Sequence, residues 1–352
     1  MPPKMRRNHQ VTVKLFTRQG TPLGDLKGVL GGQIDASAYA TVKSTGSLTV
    51  KDVGQIVDGQ WSQYRVQPIY TVNGEETPLG VFLPSTTTDD WDDTTRTWTV
   101  ELADKTSILD GTVLGEFYTV PAGSNVVSTV KALIERSGEA AGAITPSTQT
   151  TLGTLTFEPK DTLLSVINDL LGAANFFSLW CDGEGQYQVT PATSVTARPV
   201  TAEFVDGKDG TALYKPGFSR EQDMNSIPNR VIAISSSDAD EPAMTARAEN
   251  RNPDSPFSFD TLGYWIDHVE ENVETTSQEA LQQYAQRRLE SLSSAVANIE
   301  ITHWFEPILF NNAVRFRSQP ARIDGRYTVS KYSIPLTELG LMKTTLREVV
   351  QV

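Results

Sequence analysis

Alternating apolar and polar residues dominate the first part of the chain and predict β-strands there. Every second side chain lies on an apolar face in three segments: 11–16, 47–52 and 97–102. Asn73-Gly74 separates two further strand-like segments and predicts a tight hairpin, because both residues tolerate positive φ. The polar, acidic segment 85–95 is predicted to be a loop. Residues 1–110 are therefore predicted to form a first small β-barrel module.

A helical period replaces this alternation after residue 110. Apolar residues recur every three to four positions over 124–136 and again over 162–171. The predicted N-caps are Ser124 or Asn125 for the first helix and Asp161 for the second, with Gly172 ending the second helix. Two short strands flank the turn at 182–185. Two helices on a small sheet predict an α+β insert over residues 111–195.

The last third of the chain returns to strands around one long helix. Residues 196–235 are mostly irregular and contain one clear strand, 230–234. Thr276 and Glu279 form a capping box that predicts a helix near 276–295. Four further strand segments follow it or end the chain: 299–305, 313–317, 326–334 and 342–350.

Composition and charge restrict the class of protein. The chain has 352 residues, of which 30 are Lys or Arg and 43 are Asp or Glu, so its net charge is −13. This excess of acidic residues argues against stable binding to nucleic acids and to anionic membranes. No apolar run is long enough to span a bilayer, and no signal peptide is apparent. We expect the chain to be made in a cytoplasm and not to be exported by the general secretory route.

Residues capable of catalysis or metal binding are few. The single cysteine, Cys181, excludes an internal disulfide and a cysteine-rich zinc site, and its apolar neighbours predict a buried position. His9 is expected to lie in a flexible N-terminus, and His303 is expected to lie in a strand as a core or edge residue. Motifs for nucleophilic hydrolysis, phosphate binding or dinucleotide binding are missing. We therefore expect no catalytic site, no metal and no cofactor.

The acidic run around Trp91 is the segment with the most candidate functional side chains. It consists of Asp89, Asp90, Trp91, Asp92 and Asp93. Paired carboxylates can hydrolyse glycosides, but such a pair normally converges from separate strands in a cleft. A loop that faces a partner subunit or a channel is the preferred interpretation, with Trp91 as a contact anchor.

The order of elements resembles that of the tail hub proteins of long-tailed bacteriophages, also called baseplate hub or minor tail proteins. The resemblance covers nearly the whole chain and is carried by pattern and order. The segments that carry it are 46–52 (GSLTVKD), 68–74 (PIYTVNG), 78–83 (PLGVFL), 102–105 (LADK), 108–109 (IL), 120–124 (VPAGS) and 227–231 (IPNRV).

The resemblance implies a homotrimer in which each subunit contributes two small antiparallel β-barrels to a hub ring with peripheral domains. Residues 196–235 would supply return strands that complete the first barrel, and 236–352 would form the second barrel with the long helix. The implied partners are a distal tail or tail tube protein, the tape measure protein, and a tail fibre or spike protein. The implied location is the tail tip of the virion, after synthesis in the host cytoplasm.

A hub of this kind would also surround a channel through which DNA passes transiently during genome ejection. An acidic lumen would repel phosphates and prevent DNA from binding to the channel wall. The net charge of −13 is compatible with such a lumen. Some relatives continue into a cell-wall hydrolase, whereas this sequence stops after its last predicted hairpin at Val352. We therefore expect no lytic function.

Two other functions remain open at this point. A receptor- or carbohydrate-binding tail module would use Trp91, Tyr264 and Trp265 as stacking residues. A polysaccharide-degrading tail enzyme would use the acids at 89–93.

Overall fold

The computed structural model describes residues 8–151, 153–174, 176–193, 198–206, 214–221, 227–235, 243–273, 278–293 and 298–348. Within these residues the protein is mainly β with an α+β insert, which confirms the predicted fold class. One large sheet of 14 strands runs through two modules, and smaller sheets belong to the units packed around them.

The first module contains eight strands around its own hydrophobic core. Leu48 and Val100 are fully buried there, as the alternation of their strands predicts, and Val66 of β5 is fully buried in the same core. Asn73 and Gly74 adopt positive φ and form the predicted hairpin. The strands are β1 (His9–Thr17), β2 (Pro22–Asp25), β3 (Val29–Ser37), β4 (Ser44–Lys51), β5 (Tyr64–Val72), β6 (Glu75–Pro78), β7 (Phe82–Asp92) and β8 (Thr95–Asp104).

The insert packs its two longer helices around a second core. Asn125 caps the first of them through Ser128 N–H, as predicted, and Thr162 rather than Asp161 caps the second. The second helix also runs through Gly172 instead of ending there. The elements are α1 (Thr106–Asp110), β9 (Tyr118–Val120), α2 (Val126–Arg136), β10 (Leu155–Phe157), α3 (Leu163–Ala173), β11 (Trp180–Cys181) and β12 (Tyr187–Gln188).

The strands after residue 196 do not complete the first module, so that prediction is wrong. β13 (Val200–Val205) pairs with β19 (Ala313–Ser318) of the second module, and β14 (Ser219–Glu221) pairs with β18 (Asn298–His303). Phe204 is fully buried beside Phe316 in the core of that module. Apolar alternation indicates that a strand has a buried face, but not which neighbour it joins.

A separate α+β unit interrupts the second module. β15 (Arg230–Ser235) pairs with β16 (Thr245–Glu249) and with β17 (Asp267–Val273). The long helix packs on this three-stranded sheet and spans Gln278–Ser293, within the predicted 276–295; Thr276 of the capping box lies outside the described residues. The unit's helices are α4 (Phe259–Leu262) and α5 (Gln278–Ser293).

One strand connects the two modules. β20 (Ile323–Pro335) pairs with β21 (Met342–Glu348) on one side. Its other side is shared, because the first half pairs with β19 and the second half pairs with β3 of the first module. The strands around the two cores therefore belong to one continuous hydrogen-bonded sheet.

The helices that the structure describes are all too short or too polar to cross a lipid bilayer.

Candidate interaction surface

The acidic run identified in the sequence forms the outer half of a long hairpin. β7 pairs with β8 as far as Asp92↔Thr95, so Asp93 and Thr94 make the turn. The prediction of a loop over 85–95 is therefore wrong. Both faces of this part of β7 are exposed, so it lacks the apolar alternation by which strands are recognised, although its threonines favour extended structure.

The outer edge of β7 has no neighbouring strand among the described residues. β5 meets β7 only at Val66↔Phe82, and β7 then continues past it. Every residue from 85 to 92 is exposed. Backbone N–H and C=O groups along this edge face solvent, and such an edge can accept a further chain unless charge or shape prevents it.

Arg96 organises the end of the hairpin. Its guanidinium donates two hydrogen bonds to Asp89 Oδ2, at 3.0 and 2.8 Å, and Trp91 Nε1 donates a third at 3.0 Å. The same guanidinium lies 4.8 Å from the ring centre of Trp91 and 4.0 Å from that of Trp98. Trp98 is buried in the core of the first module, so this cluster anchors the exposed end of the hairpin.

These contacts decide what Asp89 can do. The hydrogen bonds from Arg96 and Trp91 hold the pKa of Asp89 below its usual range. A general acid for glycoside hydrolysis needs a raised pKa instead. The geometry therefore disfavours Asp89 as the general acid, while the carboxylates of Asp90, Asp92 and Asp93 are exposed on the hairpin.

Trp91 is the most accessible aromatic side chain at this end, with 72% of its surface exposed. Of the other proposed stacking residues, Tyr264 is also exposed, at 52%, whereas Trp265 has its ring covered. Trp265 is stacked on Phe259 with ring centres 4.3 Å apart, and the guanidiniums of Arg230 and Arg251 lie 4.7 and 5.0 Å from its ring. Aromatic and cationic neighbours thus already occupy the ring of Trp265, which disfavours it as a sugar platform.

The surroundings of Cys181, His303 and His9 indicate structural roles. Burial raises the pKa of the Cys181 thiol well above its usual value, so it is not a reactive thiolate. His303 is buried, as predicted, with Nδ1 2.6 Å from the Trp304 carbonyl oxygen. His9 is not in a floppy segment: it lies in β1, is 7% exposed and has Nδ1 3.1 Å from Tyr70 Oη.

A cavity of about 360 Å³ lies away from the hairpin, beside the junction of β3 and β20. Two acids, Asp35 and Glu300, and three lysines, Lys43, Lys331 and Lys343, are among its lining residues. No cluster of three or more potential metal ligands occurs in the part of the chain that the structure describes.

An arginine-rich hairpin, β19–β20, is the feature that sequence reasoning missed. Arg315 and Arg317 are each 42% exposed on β19, and Arg322 and Arg326 are exposed on the turn and on β20. Among the described residues, the carboxylates of Asp324, which pairs with Arg315 at 3.1 Å, of Glu203 and of Asp206 lie beside them. The alternation of arginine in Arg315-Phe316-Arg317 was the available signal, because it places both cations on one exposed face.

No protein-family model matches the chain, and no curated protein sequence matches it. Solved structures do match. A tail protein from Neisseria meningitidis MC58 gives a TM-score of 0.72 at 12% identity, covering 96% of this chain and 97% of that one. The 43 kDa tail protein of prophage MuSo2 from Shewanella oneidensis gives 0.70 at 12% identity, covering 97% and 98%.

A third match is a component of the type VI secretion system of E. coli, described as structurally similar to the bacteriophage T4 tail proteins gp27 and gp5. Its TM-score is 0.56 at 9% identity, covering 96% of this chain and 77% of that one. The fold is therefore that of phage tail proteins and of this hub-like component, which confirms the resemblance at the level of fold.

Proposed function

We propose that this protein is a structural, non-enzymatic hub of a bacteriophage tail tip. The observation that carries the proposal is the full-length match to two phage tail proteins, which covers at least 96% of each chain. The surroundings of Asp89 and Trp265 support a structural role over the two alternatives, a polysaccharide-degrading enzyme and a carbohydrate-binding module.

The proposed assembly is a homotrimer that builds a ring from two modules of each subunit. Strand β20 supports this proposal. It pairs with β19 of the second module and with β3 of the first, and so fixes the orientation of the two modules of one subunit. A ring assembled from such pairs presents sixfold-like features on one side while keeping threefold symmetry overall. Closure of each module into a complete barrel belongs to this proposal.

The proposed partners follow from the position of a hub. One side would meet a distal tail or tail tube protein, and the other a spike or fibre protein. The tape measure protein and then DNA would pass through the centre without stable binding. The proposed location is the tail tip of the virion, with synthesis in the host cytoplasm and no stable attachment to a membrane.

The charge of the channel is a separate part of the proposal. The net charge of −13 supports a lumen that repels DNA phosphates. An electrostatic map of the assembled ring tests this, and a lumen lined mainly by lysine and arginine would contradict it.

Two measurements test the hub itself. Light scattering of the purified protein should give the mass of three chains of 38.6 kDa, and electron microscopy of tails should place a threefold ring at the tip. A monomer at all concentrations, together with its absence from the tail tip, would overturn the proposal.

A further inference from the structure

The outer part of β7 presents two faces of different character beside its open backbone edge. The side chains of Asp90 and Asp92 lie on one face, and Trp91 lies on the other face with Arg96. Arg96 is the only cation in the sequence of the hairpin, 82–104, and it pairs with Asp89 at 2.8 Å. The carboxylates of Asp90 and Asp92 are therefore exposed, two residues apart, along an edge that can accept a further strand.

The charge of this edge restricts what can pair with it. Two copies of β7 placed edge to edge would set aspartates against aspartates, and like charges directly opposite each other are destabilising. A strand that joins an edge places every second side chain on the same face. The segment that complements Asp90 and Asp92 therefore carries two cations spaced by two residues.

The whole sequence contains two such pairs of basic residues, Lys4 with Arg6 and Arg315 with Arg317. The second pair lies on β19, which already pairs with β13 on one side and with β20 on the other, so its backbone cannot join another edge. The first pair lies in the segment 1–7 (MPPKMRR), which has three cations and no acid and lies outside the described residues. Segment 1–7 is therefore the part of the chain that complements the β7 edge.

This segment joins the first module at the end far from the acidic hairpin. Asn8 N–H donates to Asn73 Oδ1 at 2.8 Å, and Asn73 N–H donates to the Asn8 carbonyl oxygen at 2.8 Å. β1 and β7 run in the same direction, because each pairs antiparallel with β5. The chain thus enters β1 at one end of the sheet, whereas β7 extends beyond the other end.

Register gives the separation between these two ends. Leu15 and Phe82 both pair with Val66, so they lie in one row. β1 begins six residues before this row, and Asp90 lies eight residues after it. At about 3.3 Å per residue, the two points are roughly 45 Å apart in a flat sheet. Lys4 is four residues from the first described residue and reaches about 14 Å when fully extended, so it cannot reach Asp90 of its own chain.

We propose that residues 4–7 of one copy of this chain add as a strand to the open β7 edge of a second copy, with Lys4 and Arg6 beside Asp90 and Asp92. This rests on the proposed function, because it names a contact by which subunits of the trimer meet. Backbone hydrogen bonds hold the added strand, and the opposite charges select it.

The other face of the added strand meets Trp91. Met5 and Arg7 alternate with the two paired cations, so they lie on the face where the indole ring is 72% exposed. A thioether and a guanidinium both pack favourably on an aromatic ring. The contact is head-to-tail: each subunit donates one segment and accepts another, and a suitable rotation closes the ring.

Reversal of charge on each side of the contact tests the proposal. The edge variant is Asp90→Arg/Asp92→Arg, which leaves the Asp89–Arg96 pair intact, and the segment variant is Lys4→Asp/Arg6→Asp. A third protein combines all four substitutions in one chain. The control is Glu279→Arg/Glu290→Arg, which reverses two exposed acids of α5 in the separate α+β unit.

We expect the edge variant and the segment variant each to weaken association at least tenfold at low salt, measured by analytical ultracentrifugation, while the control behaves as wild type. The combined protein should associate as wild type does, because the opposite charges again face each other. Circular dichroism and thermal melting confirm that each protein is folded.

Two results would overturn this contact and leave the hub proposal standing. One is a trimeric wild type whose edge and segment variants stay trimeric with unchanged salt dependence. The other is a combined protein that associates no better than the two variants from which it is built. A wild type that is monomeric at all concentrations overturns both proposals.

Discussion

His303 is a neutral histidine held between two partners in the second module. Its Nδ1 lies 2.6 Å from the Trp304 carbonyl oxygen, so Nδ1 carries the proton and donates. Nε2, 2.8 Å from Thr344 Oγ1, then accepts from that hydroxyl. Burial lowers the pKa of His303 from 6.5 to about 4, although the bond to Trp304 acts in the other direction.

This pKa predicts loss of stability in acid. Between pH 6.5 and about 4 the unfolded chain binds a proton at His303 that the folded chain does not, so stability falls as the pH drops through this window. The full effect is about 3 kcal/mol. Urea unfolding at several pH values measures it, and the His303→Asn variant should lack this part of the pH dependence. Equal slopes for both proteins would contradict the assignment.

Asn229 is a second buried polar residue with a defined task, in the segment 227–231 that carries the family resemblance. Its Oδ1 accepts from Ile266 N–H at 2.8 Å and its Nδ2 donates to the Tyr264 carbonyl at 3.0 Å. The side chain is fully buried. It thus fastens the segment before β17 to the start of β15.

We expect Asn229→Ala to lower the free energy of unfolding by about 2 kcal/mol, because it removes two part-buried hydrogen bonds, from Ile266 N–H and to the Tyr264 carbonyl. Denaturant titration measures this. Asn252→Ala, in the partly exposed loop nearby, is the control and should cost less than about 1 kcal/mol. A similar loss in both variants would argue against the special position of Asn229.

At the scale of elements, the insert is fastened to the first module by charge and by close backbone contact. Glu139 forms ion pairs with Arg65 at 2.6 Å and with Lys105 at 3.1 Å. Burial raises the pKa of Glu139, but these two cations outweigh it and hold the pKa below its usual value. The turn between β11 and β12 approaches β6 so closely that a Cβ at Gly183 would lie 2.2 Å from the Pro78 carbonyl oxygen.

Gly183→Ala should therefore push this turn away from β6 and loosen the insert. We expect a loss of about 2 kcal/mol and faster amide exchange in β11 and β12. Gly172→Ala is the matched control, since no atom lies within 4 Å of the added methyl group and alanine favours the helix. Unchanged exchange in the Gly183 variant would contradict the close contact.

The hairpin β7–β8 and the helices of the insert show what can be predicted about elements. α2 and α3 were predictable because each buries an apolar stripe with helical period. The outer half of β7 was not, because its side chains are all exposed and only its backbone pairing with β8 makes it a strand. The Trp91–Arg96–Trp98 cluster was missed for the same reason, since it depends on that register.

At the scale of the whole molecule, β20 couples the two modules. Its far end leads into Leu336, which is 3% exposed and packs in the core of the first module although it belongs to the C-terminal part of the chain. The two modules should therefore unfold together rather than one after the other.

Leu336→Ala tests this coupling. We expect the cavity that it leaves to lower the free energy of unfolding by about 3 kcal/mol. The stability of both modules should fall, and hydrogen exchange measures this for each module separately. Leu339→Ala, three residues later and 81% exposed, should change little. Destabilisation confined to one module would argue that β20 does not couple them.

The sequence by itself determined the β-rich class, the insert with its two helices, the long helix and the absence of recognisable catalytic motifs. These follow from periodicity and residue chemistry, which are local properties. Only the tertiary structure decided that β13 joins β19, that β15 belongs to a separate unit and that β20 links two cores. Strand partners lie far apart along the chain, and a strand's pattern specifies its buried face without specifying its neighbour.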